Sequence, residues 1–206
     1  MGDLHGSVTC SARLVTLVSA MTTDEPSLIT LETDRLRLRP LHEGDEEAVY
    51  TLLSDERVVR YMLFPVFTRE RAHAFVSRVA RAPASGQPSQ LVLAMAGRSD
   101  DALIGLTGLV LKPELEEGEV WYLLHPDRWG QGLVTEGVRQ LVRHGFDALN
   151  LHRIWASCLP ENPGSARVLE KLGFRREGLL RQNLRIHGEW KDSYLYAALT
   201  DEWAKE

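Results

Sequence analysis

The chain has 206 residues, of which 44% are hydrophobic and 26% are charged, and its formal net charge is −5. This length predicts one domain with a sizeable core, and the lack of a dominant basic stripe argues against nucleic-acid binding. No apolar run approaches the ~20 residues of a membrane span. Cys10 and Cys158 have no metal-ligand spacing. We therefore expect a cytoplasmic protein without a metal, nucleic-acid or membrane partner.

The first thirty residues show no sustained hydrophobic periodicity. Residues 14–20 (LVTLVSA) are apolar, but they are at the short limit for a signal sequence, and only Arg13 is basic before them. We expect residues 1–30 to be a flexible leader, with Met21 as an alternative start, and residues 31–206 to form the domain.

Alternating apolar and basic residues at 36–41 (LRLRPL) predict a half-exposed strand that ends at Pro40. Helical spacing follows at 44–55, and Ser54 offers an N-cap for a second short helix. A third helix starts near Thr68 and ends before a Pro/Gly/Ser loop at 82–89. Apolar runs at 91–97 and 103–111 predict two paired strands.

The stretch 119–174 is the most informative part of the sequence. It reads as a strand (EVWYLLHP), a turn (DRWGQG) that opens a helix, a second strand (RIWASCL) and a short helix. Gly130 and Gly132 permit close approach of a ligand, and amides at a helix start attract phosphate oxygens. The loop matches neither the three-glycine dinucleotide fingerprint nor the P-loop. By itself it fits a tight turn and a phosphate cradle equally well.

The remaining elements predict an α+β fold with one crossover helix in a mixed sheet. Asn162 or Ser165 can cap the short helix, and Gly173 is a stop signal. Two further strands flank a turn at His187-Gly188.

In order, these motifs resemble the GNAT superfamily of acetyl-CoA-dependent N-acetyltransferases, and within it the branch that acetylates N-termini of ribosomal proteins and small amines. The matching motifs are EVWY (119–122), HPDRWGQGLVTE (125–136), NPGS (162–165), VLEKLGF (168–174) and GEWKD (188–192). The resemblance covers residues from about 30 to about 200. It implies the GNAT fold, an α+β fold whose mixed central sheet has two splayed parallel strands and is flanked by helices.

The resemblance also implies a site for acetyl-CoA. The pantetheine arm would pair with the backbone at Leu123 and Leu124, and Asn162 would bond it. The pyrophosphate would be received by the amides of six consecutive residues: Arg128, Trp129, Gly130, Gln131, Gly132 and Leu133.

Two side chains are implied in the chemistry. Glu119 would be the general base, acting through a water, and the alternative is a strand-edge carboxylate paired with an arginine. Ser165 would give a proton to the leaving thiolate, and the alternative is a helix cap. No covalent enzyme intermediate is expected.

The sequence departs from the family at two positions. Asp127 stands where the loop usually has Gln or Arg, and we expect its side chain to turn outward, since an anion does not help to bind phosphate. Leu169 stands where many members have a tyrosine that protonates the thiolate.

Two functions remain open from the sequence. The first is direct transfer of an acetyl group to a primary amine, on a protein N-terminus or a small molecule. The second is a non-catalytic acyl-CoA-binding sensor or scaffold. Four aromatic residues could line the acceptor pocket, although core packing explains each equally well: Tyr61, Phe64, Trp121 and Trp190. The C-terminal hairpin could pair with a second copy, so a homodimer is an open expectation.

Overall fold

The computed structural model describes residues 9–10, 29–80 and 90–203. Most of the expected leader and the expected loop at 82–89 lie outside these residues. The described strands are β1 (Thr9–Cys10), β2 (Leu31–Glu32), β3 (Leu36–Pro40), β4 (Gln90–Gly97), β5 (Leu103–Lys112), β6 (Glu117–Leu124), β7 (Arg153–Cys158), β8 (Arg175–Ile186) and β9 (Glu189–Leu199). The described α-helices are α1 (Glu46–Leu53), α2 (Glu56–Val59), α3 (Arg69–Ala80), α4 (Leu133–Asp147), α5 (Pro163–Lys171) and α6 (Thr200–Trp203).

The strands form one mixed sheet. Its order is β2-β3-β4-β5-β6-β7-β9-β8, and β1 pairs with β6 outside this order. The β6/β7 pair is parallel, and the other pairs among the described strands are antiparallel. Helix α4 makes the crossover from β6 to β7, as a parallel pair requires. The predicted α+β fold, with a mixed central sheet and two splayed parallel strands flanked by helices, is confirmed.

The sheet carries a separate apolar core on each face. Helices α4 and α5 cover one face, where Val138, Leu141 and Leu169 pack against side chains such as Tyr122. Helices α1, α2 and α3 cover the other face, around Trp121 and other buried residues. Because side chains alternate along a strand, consecutive residues of β6 enter different cores.

Most helix and turn predictions agree with the structure. The helix expected after the turn is α4, which buries an apolar stripe that includes Val134, Val138 and Leu141. Gly173 ends α5 with a φ of +82°. The turn at His187 and Gly188 has positive φ at both residues, as a two-residue hairpin turn requires. None of the helices in the described part of the chain is long and apolar enough to cross a bilayer.

Two local predictions were wrong. The N-cap of α2 is Asp55, whose side chain accepts a hydrogen bond from the Arg57 amide, and not Ser54. Asp and Ser are comparable caps, so the sequence could not choose between neighbours. The last strand, expected over residues 189–203 (EWKDSYLYAALTDEW), ends at Leu199 and is followed by the short helix α6, whose Trp203 packs against Phe146 and Phe174.

Candidate active site

The parallel strands β6 and β7 stay together over a short distance only. Their register runs from Glu117 opposite Arg153 to Glu119 opposite Trp155. Beyond Glu119 the β7-facing edge of β6 pairs with β1, where Cys10 is opposite Tyr122 and Thr9 is opposite Leu123. The two parallel strands therefore diverge after Glu119, as expected for an extended ligand that inserts between them.

The backbone of β6 presents particular residues to this splay. The His125 amide donates to the Ile104 carbonyl on the β5 side at 2.9 Å. A Cβ atom on Gly105 of β5 would lie 2.4 Å from the Leu123 carbonyl oxygen. Backbone groups of successive strand residues point to alternate sides, so Tyr122 and Leu124 face the splay. The predicted backbone pairing through Leu123 does not fit this geometry.

The loop between β6 and α4 has amides of two kinds. The Arg128 and Trp129 amides already donate to the carbonyls of His125 and Pro126, at 3.0 and 3.1 Å. Within the described part of the chain, no backbone hydrogen bond is donated by the amides at 130–133. These four amides stand at the start of a fifteen-residue helix, where the helix dipole favours an anion.

The conformation of the loop requires its glycines. Gly130 and Gly132 both have a φ of +75°, which a side chain with a Cβ atom adopts only with strain. The Trp129 indole closes the loop by donating to the Leu124 carbonyl at 2.8 Å. The amides at 130–133 are therefore placed to bind an anion such as a phosphate group, whereas those of Arg128 and Trp129 already donate within the loop.

Arg35 supports the loop from the other end of the chain. Its guanidinium donates to the Gln131 carbonyl at 3.0 Å and pairs with Glu136 in the first turn of α4 at 2.6 Å. The Thr33 hydroxyl donates to the same carboxylate. Sequence reasoning missed Arg35, because about a hundred residues separate it from the loop and no local motif marks it.

Asp127 points into solvent. Its side chain is 77% exposed, and its amide donates to His125 Nδ1 at 3.3 Å. The expectation that Asp127 turns outward is confirmed.

Glu119 lies on the α1–α3 face of the sheet. It is buried, and Trp121 and Leu123 follow it on the same face of β6. The indole Nε1 of Trp121 is buried without a hydrogen-bond partner. A buried donor of this kind is uncommon and is a candidate contact for a ligand or a water.

A cavity of about 250 Å³ lies on this face of the sheet, and it is lined by the register partner of Glu119 and not by Glu119 itself. Trp155, which is opposite Glu119 in the register, is one wall of the cavity. Residues from β5 to β9 line it: Lys112, Glu117, Arg153, Trp155, Ser157, Leu180, Asn183 and Leu195. Its position beside the predicted base makes it the candidate acceptor site.

Charges of both signs surround the cavity. Arg153 donates to Glu177 at 2.7 Å and lies 3.7 Å from Glu117. The hydrogen bond from Arg153 lowers the pKa of Glu177. The Lys112 ammonium lies 5.6 Å from the centroid of the Trp155 ring. The ion pairs found among the described residues do not include Lys112, so this cation is available to a ligand.

The predicted aromatic lining does not form this cavity. Phe64 and Trp121 are buried in the core beneath the helices, and the Tyr61 hydroxyl donates to the Glu161 carbonyl. Trp190 is 60% exposed on β9. The aromatic residues of the sequence did not predict the lining of the cavity, because their packing depends on which helices cover the sheet.

The hydroxyl groups of Ser165 and Tyr122 lie on the opposite face of the sheet, which α4 and α5 cover. Asn162 caps α5, since its Oδ1 accepts a hydrogen bond from the Ser165 amide at 3.2 Å. The Ser165 side chain is therefore not the cap, and its Oγ lies 3.0 Å from the Tyr122 hydroxyl. Asn162, Ser165 and Tyr122 are all buried. The structure thus brings Asn162 and Ser165 together at the start of α5 and adds Tyr122 of β6, which sequence reasoning missed, to Ser165.

The profile of the Acetyltransferase (GNAT) domain family matches residues 35–175. The chain belongs to the GNAT acetyltransferase family. It is 36% identical to the uncharacterized N-acetyltransferase YnaD of Bacillus subtilis over 173 residues, which are 84% of this chain and 98% of that protein. The crystal structure of a GNAT-family acetyltransferase from Bacillus anthracis superposes with a TM-score of 0.76 at 30% identity, covering 84% of this chain and 100% of the other.

A relative with a named substrate is more distant. The [ribosomal protein uS5]-alanine N-acetyltransferase of Escherichia coli is 27% identical over 182 residues, which are 85% of this chain and 93% of that protein. These similarities identify the GNAT chain as an acetyl-CoA-dependent N-acetyltransferase. The choice between an enzyme and a non-catalytic binding module is settled in favour of the enzyme. Among the described residues, no cluster of three His, Cys, Asp or Glu residues could hold a metal ion.

Proposed function

We propose that this GNAT enzyme transfers the acetyl group directly from acetyl-CoA to the primary amine of a peptide N-terminus, bound in the cavity beside Glu119. The observation that carries the proposal is the composition of that cavity. Two cations, Lys112 and Arg153, line it together with one carboxylate, Glu117.

The site offers acetyl-CoA a set of backbone contacts. The amides at 130–133 would take the pyrophosphate. The splay-facing backbone of Tyr122 and the amide of Leu124, whose carbonyl already accepts from Trp129, would pair with the pantetheine arm. Asn162 stands at the start of α5 on the far side of the splay. Because β1 pairs with the same edge of β6, binding of pantetheine requires β1 to leave that edge.

Acetyl transfer requires a neutral amine and a proton for the departing sulfur. Glu119 takes the proton of the amine through a water, and the amine nitrogen forms a bond to the thioester carbon. The C–S bond then breaks, its electron pair passes to sulfur, and Ser165 supplies the proton that sulfur takes up. Positioning of the two substrates contributes to the rate as well.

The cations argue for an acceptor with a single basic group. A polyamine would place additional ammonium groups beside Lys112 and Arg153, which like-charge repulsion disfavours. A peptide N-terminus brings one amine, and an acidic residue behind it could pair with Lys112. The relative from Escherichia coli that is named for an alanine of a ribosomal protein supports a peptide acceptor.

An acceptor panel tests the proposal. The purified full chain is mixed with acetyl-CoA and a thiol reagent, and then with a short peptide, the same peptide blocked at its N-terminus, or a polyamine. We expect thiol release with the free peptide and none with the blocked one. A preference for the polyamine would overturn the proposed acceptor class.

A charge reversal tests the role of Lys112. Lys112→Glu should lower kcat/KM for a peptide with an acidic second residue by roughly five-fold, about 1 kcal/mol for one partly exposed ion pair. The matched control is Lys171→Glu, because Lys171 is exposed at the end of α5 on the other face of the sheet. Equal losses in both variants would show a general charge effect instead of a contact with the acceptor.

Cytoplasmic location and a homodimer stay predictions. Light scattering of the purified chain would measure its oligomeric state, and a monomer at working concentration would contradict the homodimer.

A further inference from the structure

We propose that Tyr122 is a positioning residue for the departing thiolate, because its phenol holds the Ser165 hydroxyl and resupplies it with a proton. This inference rests on the proposed function, in which Ser165 is the proton donor to sulfur. Tyr122 of strand β6 would thus take part, with Ser165 of α5, in protonating the departing sulfur.

The contact joins the two elements that flank the splay. Tyr122 lies on β6, three positions after Glu119, where the register with β7 ends. Its side chain crosses to the first turn of α5. Its hydroxyl lies 3.0 Å from Ser165 Oγ, where either oxygen can be the donor, and it is also placed to donate to the Ser165 carbonyl oxygen at 3.2 Å. Both residues have no exposed surface, so water does not compete for this contact.

The Ser165 hydroxyl is not used to cap α5, so it can act as a proton donor. The capping role at this helix start belongs to Asn162. A hydroxyl group has one donor proton and two acceptor lone pairs. In the arrangement in which the Tyr122 phenol directs its one proton to Ser165 Oγ instead of the Ser165 carbonyl oxygen, the Ser165 proton points elsewhere, which permits donation to a sulfur atom in the splay.

Proton transfer through both hydroxyls is chemically balanced. As the C–S bond breaks, sulfur takes the Ser165 proton, and the Ser165 oxygen takes the proton of the phenol. The negative charge then rests on a phenolate instead of an alkoxide. A phenol ordinarily has a pKa of about 10, which is close to the value of about 8.5 for a thiol. After the products leave the splay, the proton returns to the buried phenolate through the Ser165 hydroxyl.

The same helix brings no second phenol to this point. Leu169, one turn after Ser165, is fully buried in the core that also contains Tyr122. The phenol at the start of α5 is thus supplied by the strand, through a contact between residues 43 positions apart.

A double-mutant cycle tests the inference with Tyr122→Phe, Ser165→Ala and the double variant. We expect each single variant to lower kcat about 10- to 100-fold, the range for loss of a general acid, with the KM for acetyl-CoA unchanged. The double variant should be no slower than the slower single variant, because both changes interrupt one relay. Ser165→Thr, which keeps a hydroxyl, should retain part of the activity.

The matched control is Tyr196→Phe. Tyr196 is a buried tyrosine of the same core, and its hydroxyl donates to Glu170 at 3.1 Å. This variant should keep kcat within two-fold. A similar loss of kcat in Tyr196→Phe and Tyr122→Phe would show that the phenol is needed only for packing, which overturns the inference.

The outcomes separate this inference from the proposed function. If Ser165→Ala lowers kcat and Tyr122→Phe does not, Ser165 keeps its role and the inference is wrong. Multiplicative losses in the double variant also contradict it, because they show independent roles. If Ser165→Ala leaves kcat unchanged while Tyr122→Phe abolishes it, the phenol donates directly, and both the relay and the role of Ser165 are overturned.

Discussion

The two faces of the sheet at β6 differ in chemistry. On the α1–α3 face lie Glu119, the unpaired Trp121 indole N–H and the cavity with its cations. On the α4–α5 face lie Tyr122 and Ser165, two hydroxyls in contact. A strand sends alternate side chains to opposite faces, so residues close in sequence are kept apart. In the proposed mechanism, the base Glu119 and the acid Ser165 therefore act on one thioester from opposite faces, without neutralising each other.

We expect the largest effect from a substitution that prevents binding of acetyl-CoA, the substrate on which both faces of the sheet would act. Gly130→Val should weaken CoA binding by at least about 100-fold, because a β-branched residue is strained at a φ of +75° and its side chain would enter the phosphate path. Isothermal titration with CoA measures the effect.

Gly188→Val is the matched control for this change. Gly188 has a φ of +88°, and a Cβ atom there would meet nothing within 4 Å. It should lose stability and keep CoA affinity. Equal affinity losses in both variants would attribute the effect to backbone strain alone.

The next prediction disables one face only. Glu119→Gln should lower turnover more than ten-fold while CoA affinity is kept, because the amide cannot accept the proton of the amine. Steady-state rates from pH 6 to 9 and CoA titrations measure both quantities. Glu202→Gln, which removes a carboxylate that pairs with Arg175, is the control. Turnover that is unchanged at every pH would remove Glu119 from the role of base.

Local sequence patterns predicted the elements on each face of the sheet, but not the contacts between elements that are distant in sequence. Hydrophobic periodicity predicted the helices and strands. The ordered motifs identified the family and singled out Asn162 and Ser165 as site residues. The contact of Tyr122 with Ser165 could not be foreseen, because it depends on how α5 packs against β6. The support of the loop by Arg35 crosses about a hundred residues. Such contacts follow from sheet order, which local patterns do not encode.

Trp121→Phe tests whether the acceptor face uses its unpaired donor. The substitution keeps an aromatic ring and removes the indole N–H. If this N–H contacts the acceptor or the water beside Glu119, the KM for the amine should rise about three- to ten-fold, the value of one hydrogen bond. The KM for acetyl-CoA, measured in the same assay, should not change. An unchanged KM for the amine would show that the indole N–H only packs in the core.

The smallest effect concerns the edge of β6 between the two faces. Tyr122 presents its backbone to the splay, and Cys10 is opposite it in an antiparallel pair. Such a pair can exchange two hydrogen bonds, and Cys10→Pro removes the amide donor of one of them. Because pantetheine needs the same edge, the variant should bind CoA about two- to five-fold more tightly, within the net value of one hydrogen bond.

Ser19→Pro is the control for Cys10→Pro, because it places a proline in the same N-terminal segment of the sequence, nine residues after Cys10. Its CoA affinity should equal that of the unaltered chain in isothermal titration. Equal affinity in all three proteins would mean that β1 does not compete with pantetheine. Tighter binding in Cys10→Pro alone would show that the open edge of β6 is shared between the chain's own N-terminal segment and its substrate. The supply of acetyl-CoA to both faces would then depend on release of that edge.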